Sequence, residues 1–293
     1  MKYLAIGDCV CDKYLDQKMM YPGGTALNAA AHAAEQGAES AFIGVIGNDP
    51  EGEFLKRIMD QKGIDRSHAK LHEGETTSSH VDLVEGERKF LWANGMKVRA
   101  EHPLVLTEED LEYISGFDLV HMSVYSGMEE ELPKLRAYLD AKEGPVPRIC
   151  FDFSDAWRSR DYAPKVKDLC KYIDVVFLSC AGQKRGMTME IIKLFESFGP
   201  KLVVATRGSD STLILSTEDK GVWIEKEVDK LQPVDTLGAG DSFASAFETS
   251  YILSLQQNES PKDAASNGLK AGSELASKVC MMYGGFGCGV PIE

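Results

Sequence analysis

Short apolar runs alternate with helix-length segments along most of this chain, and that alternation narrows the fold more than any other feature. Residues 3–6 read as a buried strand, and 26–36 as an alanine-rich helix closed by Gly37. Residues 40–46 form the next strand, and 51–61 the next helix, ending at Gly63. A strand–helix–strand–helix order lays parallel strands side by side, with helices on the faces of the sheet. After residue 106 the alternation resumes. Strands at 119–122, 148–151, 175–178 and 202–205 are separated by helices at 129–141, 164–172 and 188–198. Residues 212–215 and 221–224 make an antiparallel pair, and helices from Ser242 and from Ser260 close the chain. The expectation is a three-layer α/β/α sandwich around a mostly parallel sheet.

One interval breaks the pattern. Residues 79–84 alternate, Glu85-Gly86-Glu87 is a turn, and 88–92 is a second short strand, which together read as a β-hairpin. With residues 13–21 this hairpin would build a small sheet able to cover a ligand. The expected domains are therefore an α/β core of residues 1–12, 23–67 and 100–293, and a discontinuous β lid of 13–22 and 68–99.

Composition narrows the partners. The 32 basic and 46 acidic side chains give a net charge of −14. Nucleic acid and anionic membranes attract clustered Lys and Arg, so neither is expected as a partner. The seven cysteines are scattered without a Cys-x-x-Cys pair, which points to reduced, buried thiols and a cytoplasmic location. Residues 1–6 are too short an apolar run for a signal peptide. No stretch approaches the ~20 apolar residues of a membrane span. The six histidines have no metal-ligand spacing and read as structural or solvated. Neither a Walker A sequence nor a dinucleotide-binding Gly-x-Gly-x-x-Gly after a strand occurs.

The chemistry concentrates in Asp235-Thr236-Leu237-Gly238-Ala239-Gly240-Asp241-Ser242-Phe243. Glycines here let the backbone turn with its N–H groups exposed, just before an apolar helix. A helix N-terminus adds unpaired donors and a partial positive charge. Gly238, Ala239 and Gly240 therefore form a candidate phosphate cradle. Asp241 stands at its rim, where a bare carboxylate would repel phosphate. It is either a helix cap or a base that takes a proton from an attacking hydroxyl. The company of the whole stretch favours the base. Near the N-terminus, Gly7-Asp8 follows a strand, Asp12 comes four residues later, and Pro22-Gly23-Gly24-Thr25-Ala26-Leu27-Asn28 opens a helix.

These two stretches resemble the ribokinase-like (PfkB) carbohydrate kinases, and the element order between them extends the resemblance over essentially the whole chain. Within the family, the 8–12 segment, Phe151-Asp152-Phe153-Ser154-Asp155 and a missing metal-site Glu are most similar to the fructoselysine 6-kinases. The resemblance implies ATP-dependent phosphorylation of a hydroxymethyl group of a small sugar or sugar-amine, such as a fructosamine. Fructose, ribose, a keto-deoxy sugar acid or a nucleoside are the other acceptors it allows. A non-catalytic sugar or nucleoside sensor is the alternative outside enzymes. It places Asp8, Asp12, Gly23, Gly24 and Asn28 on the substrate, and Thr206, Gly208 and Asn267 on the nucleotide. Asp241 is the implied base. It also implies Mg²⁺ carried by ATP, a monovalent cation such as K⁺ near Asp235 and the 284–289 loop, and a homodimer formed through the lid.

Two departures stand out. The family's Asn-x-x-Glu, which organises Mg²⁺ through water, reads here Ser179-Cys180-Ala181-Gly182-Gln183-Lys184, so no metal ligand is assigned. An acidic sugar would want an Arg where Ala156 stands, whereas Asp152 and Asp155 suit a cationic amine. Tyr125 is a candidate to stack on a substrate, Trp92 to stack there or, by preference, to pack within the lid, and Arg158 and Arg207 to meet phosphate or to pair on the surface.

Overall fold

The chain opens with β1 (Lys2–Gly7), β2 (Val10–Tyr14), β3 (Met19–Gly23), α1 (Thr25–Glu35), β4 (Glu39–Gly47), α2 (Pro50–Gln61) and β5 (Lys70–His72). The hairpin β6 (Ser78–Val84) and β7 (Glu87–Ala93) follows, then α3 (Val98–Glu101) and α4 (Glu108–Ser115). Next come β8 (Leu119–Ser123), α5 (Leu132–Asp140), β9 (Arg148–Asp152), α6 (Ala163–Leu169), β10 (Val175–Ser179), α7 (Arg185–Glu196) and β11 (Leu202–Thr206). The chain ends with β12 (Ser211–Ser216), β13 (Val222–Glu227), α8 (Ala239–Gln256), α9 (Pro261–Val279) and β14 (Val290–Pro291). This is a computed structural model that describes residues 1–84, 87–218, 221–228 and 230–292, and at 83, 84, 87–90 and 92 the backbone alone. Residues 85 and 86 of the expected turn, and the Trp92 side chain, lie outside that description.

Among the described residues the large sheet has the order β13-β12-β11-β10-β9-β8-β1-β4-β5. Its strands run parallel except for β12, which is antiparallel to both neighbours. The period-two geometry of a strand splits the apolar side chains between two cores. Tyr3 and Ala5 of β1 face one core, with Leu27, Leu55, Phe247 and Leu269 of the helices. Leu4 and Ile6 face the other, with Ile114, Leu135, Val166 and Ile192. The expected three layers follow from this division.

Local signals set the helix ends. Asp49 accepts from Gly52 N–H at 2.9 Å and Pro50 opens α2. Thr107 and Asp110 form a reciprocal capping box on α4. Ser260 accepts from Asp263 N–H at 3.1 Å and Pro261 opens α9.

The small sheet has the order β14-β3-β2-β6-β7, with β2 and β6 parallel and the other neighbours antiparallel. It draws on residues 10–12, earlier than the expected start of the lid, and on Val290–Pro291 at the far end of the chain. The segment Lys70–His72, expected in the lid, instead pairs with β4 at the edge of the large sheet. Three residues are too few to display a period, so only the pairing places them. The helix expected from Ser242 begins at Ala239, because Gly238 takes the left-handed conformation that lets the helix start there.

Candidate active site

Parallel sheets present ligand sites beyond the carboxyl ends of their strands. Here Asp8 follows β1, Ser123 and Tyr125 lie at the end of β8, Asp152 ends β9, Ser179 ends β10 and Thr206 ends β11. The helix α8 brings its N-terminus to this rim. Gly238 caps it with φ 75° and ψ 0°, and Asp241 lies in its first turn. The N–H groups of that turn have no carbonyl four residues earlier within the helix, and Ala239 N–H makes a long 3.3 Å bond to Thr236 O.

Asn28, in the first turn of α1, donates from Nδ2 to Asp241 Oδ2 at 2.6 Å. The two halves of the sequence signature thus meet directly. Asn28 is 3% exposed, and its Oδ1 has no hydrogen-bond partner among the described residues.

Asp8 is buried, and its two oxygens accept from Thr25 N–H at 3.0 Å and Ala26 N–H at 3.2 Å. It caps α1 from a distance, since the cap residue Gly24 has no side chain for the task. Asp12 is buried on β2 and accepts from the Ser79 hydroxyl across the parallel β2–β6 pair. Gly23 and Gly24 are required by these same carboxylate segments. A Cβ at Gly23 would lie 2.0 Å from Asp12 Oδ2, and one at Gly24 2.8 Å from Asp8 O and Cys9 Cα. The glycines let the end of β3 pass close over Asp12 on β2 and over the 8–9 segment.

Asp152 is half-buried beside Asp241. Burial pushes its carboxyl up to about 6; the Ser154 N–H bond opposes this, and the Asp241 charge adds to it. Tyr125 is half-exposed, and its phenol is raised by burial and then by Asp155 and Asp152, which places all three on one patch of rim. Arg158 is held by Asp155 at 3.3 Å.

On the other side of the cradle, Thr206 and Gly208 border the loop 180–184. Arg207 stitches the two loops together, donating from Nε and Nη2 to Gln183 O at 3.3 and 3.2 Å. Asn267 does not reach this region. Its amide donates to Ser254 Oγ at 3.1 Å and Glu259 Oε2 at 2.7 Å. Ser254 lies about 20 Å along α8 from Asp241 at 1.5 Å per residue. Helix α9 runs back over α8, with Gly272 against Phe243, so its later residues approach the cradle end. A cleft of about 320 Å³ opens there, lined by Lys226, Glu227, Ser273, Glu274, Ser277 and Lys278. Glu227 pairs with Ser211, directly beyond the loop that carries Gly208.

A profile of the pfkB family carbohydrate kinases matches residues 9–283. The chain belongs to that family. Among curated proteins it is 36% identical over 292 residues to fructosamine kinase FrlD of Bacillus subtilis, covering 99% of this chain and 95% of the relative. It is 28% identical over 249 residues to fructoselysine 6-kinase of Escherichia coli, covering 84% and 88%. Among solved structures, aminoimidazole riboside kinase from Salmonella enterica superimposes with a TM-score of 0.76 at 15% identity, over 100% of this chain and 97% of that one. Fructokinase from Vibrio cholerae does so with 0.74 at 20%, over 98% and 95%. At these identities the structures establish the ribokinase-like fold.

Several features of this pfkB kinase escaped sequence reasoning. Glu248 lies two turns below Asp241 on the same face of α8, fully buried. It accepts from Tyr3 Oη–H at 2.5 Å and bonds His121 Nδ1 at 2.9 Å. Burial would lower the His121 pKa, but the charges of Glu248, Asp152 and Asp241 outweigh it and raise it. This buried pair fixes the rotation of α8 that turns Asp241 toward the rim. A second carboxylate seven residues after Asp241 in a helix without other charged residues was the available signal.

The residues present also test the implied ions. Among the described residues no cluster of three or more His, Cys, Asp or Glu could hold a metal. Gln183, near the position of the family Glu, gives its backbone carbonyl to Arg207. Asp235, the implied anchor of a monovalent cation, is fully buried and accepts from Leu237 N–H at 2.8 Å, Tyr14 Oη–H at 2.6 Å and Gly284 N–H at 3.0 Å. Three donor hydrogens face that carboxylate, so the Asp235 side chain does not fit a cation ligand. The buried thiols are held protonated. Burial pushes Cys9 and Cys170 up to about 12 and Cys180 up to about 11.

Proposed function

We propose that this carbohydrate kinase uses ATP to phosphorylate a hydroxymethyl group of a small sugar-amine of the fructosamine class. The observation that carries the reading is the Asn28–Asp241 hydrogen bond, which sets the substrate-side motif against the cradle and its carboxylate. Asp8, Asp12 and Asn28 accept and donate hydrogen bonds to sugar hydroxyls beneath the small sheet. Asp241 takes the proton of the attacking hydroxyl as its oxygen bonds to the terminal phosphorus. The bond from that phosphorus to the bridging oxygen breaks, and ADP leaves with the electron pair. The N–H groups at Gly238, Ala239 and Gly240 stabilise the charge that develops on the transferring oxygens. Mg²⁺ accompanying ATP supplies neutralisation of phosphate charge; no residue of this chain is assigned to it. Thr206 and Gly208 line the phosphates, and the cleft between β13 and α9 takes the nucleoside end in place of Asn267.

The acceptor class rests on two supports. The curated relatives named above are a fructosamine kinase and a fructoselysine 6-kinase. The rim gathers Asp8 and Asp152, beside an Asp155 paired with Arg158, and the excess carboxylate attracts an ammonium and opposes a sugar acid. Small-sheet pairing between two copies and a reducing cytoplasmic location complete the proposal. The latter is supported by buried thiols at Cys9, Cys11, Cys150, Cys170 and Cys180, and among the described residues no helix is long and apolar enough to cross a membrane.

The test is ATP consumption coupled to a panel of acceptors: fructoselysine and other glycated amines, fructose, ribose, a keto-deoxy sugar acid and a nucleoside. The highest kcat/KM is expected for a fructosamine. Saturable sugar binding with no ADP release would replace the enzyme with a sensor, and preference for an acid sugar would overturn the acceptor class.

A further inference from the structure

Tyr14 lies on β2 of the small sheet, 221 residues before the carboxylate it touches. Its hydroxyl donates to Asp235 Oδ2 at 2.6 Å, and Gly284 N–H reaches the same oxygen at 3.0 Å. Leu237 N–H takes the other oxygen at 2.8 Å. A fully buried carboxylate is stable only where its charge is met by donors or cations. Here the donors come from the small sheet, the C-terminal loop and the cradle segment itself.

The packing continues the connection. The Tyr14 and Tyr21 rings meet edge to face, 5.0 Å between centroids, and pack with Leu237. Gly284 is pressed on Tyr21, with a Cβ there 2.7 Å from the ring. A Cβ at Gly238 would lie 2.5 Å from Gly285 Cα, and one at Gly285 2.6 Å from Asn28 Oδ1. Contact therefore runs without a gap from the small sheet through Asp235 and the 284–285 turn to the cradle and to the residue that holds Asp241.

We propose that Tyr14 is a positioning residue for phosphoryl transfer, its hydroxyl supplying at Asp235 the compensation that would otherwise need a monovalent cation, and thereby fixing the cradle from the small sheet. This rests on the kinase reading. Turnover is then independent of monovalent cations and sensitive to a single hydroxyl that bonds Asp235.

The experiment compares wild type and Tyr14→Phe in potassium chloride and in choline chloride at equal ionic strength. Wild-type kcat should agree between the two salts. Tyr14→Phe should lose about tenfold or more in kcat, with the sugar KM changed by no more than about twofold. The variant keeps its ring, and a thermal melt verifies its fold. As a measurement without turnover, ADP should raise the melting temperature of wild type more than that of Tyr14→Phe. A wild type that needs potassium, or a variant with wild-type kcat and ADP stabilisation, overturns the proposal. Should no acceptor support ATP consumption, the kinase reading fails on its own. The ADP melts still decide, since equal stabilisation of both proteins removes Tyr14 from the cradle.

Discussion

Gly238→Ala perturbs the site through two quantities the structure supplies. Gly238 has φ 75°, where a side-chain-bearing residue costs about 1–2 kcal/mol. The new Cβ would sit 2.5 Å from Gly285 Cα and 2.9 Å from Gly285 O. Carbon atoms rest at about 3.5–4.0 Å, so one of the two segments must retreat by about 1 Å. Overpacking of this kind adds about 1–3 kcal/mol, for a total near 2–5 kcal/mol. Gly285 has little room, because its oxygen is held by His32 Nε2 at 2.9 Å and its Cα faces Asn28. The displacement is passed to Asn28, and so to Asp241, or is taken up by the cradle. Either way a shift of about 1 Å at reacting groups costs about 10²-fold. Steady-state kinetics and thermal unfolding should therefore fall together, with kcat down about a hundredfold. A variant with lowered melting temperature but wild-type kcat would refute the transmission. Wild-type values of both would refute the packing.

Gly240 offers the opposite contrast, because a Cβ there meets nothing within 4 Å. Gly240→Val should melt close to wild type yet raise the KM for ATP, and unaltered ATP kinetics would remove Gly240 from the phosphate path. Asp241→Asn should lower kcat by on the order of 10²–10⁴ while sugar binding by calorimetry stays near normal, and wild-type turnover would exclude it as the base. Asp152 has a folded pKa raised from 3.8 to about 6, so its contribution to stability is present below the lower value and lost as pH rises through the upper one. Asp152→Asn should accordingly gain melting temperature over wild type between those pH values and keep a constant advantage above. In wild type the KM for a fructosamine should fall as pH rises through about 6, where the folded carboxylate ionises against the ammonium; an identical fall in Asp152→Asn would refute its role.

Much of the architecture was readable because strand and helix periods are local. β1, β4, β8, β9, β10 and β11 stand within a residue or so of their expected bounds, since each is a continuous apolar run bounded by turn residues. Errors occurred where local signals were short or mixed. Lys70–His72 offered three residues and no period, so its place at the edge of the large sheet came from pairing with β4 alone. The start of α8 differs from expectation because glycine reads as a helix breaker. At φ 75° Gly238 instead acts as the residue before the first turn. Asn267 was assigned by likeness of position, but its place is set by how far α9 slides along α8, fixed by Gly268 on Phe247 and Gly272 on Phe243.

By itself the sequence determined the alternating layers and the glycine-rich cradle, because both depend on neighbours a few residues apart. It also named Asp241 and Asn28 as chemically apt groups. That they touch, 213 residues apart, was decided only by folding, which brings α1 and α8 together over one face of the sheet. The same holds for Tyr14 on Asp235 and for Glu248 against His121. Hydrogen bonds and charge compensation in the interior depend on distances of a few ångströms between remote segments, and no period along the chain encodes them.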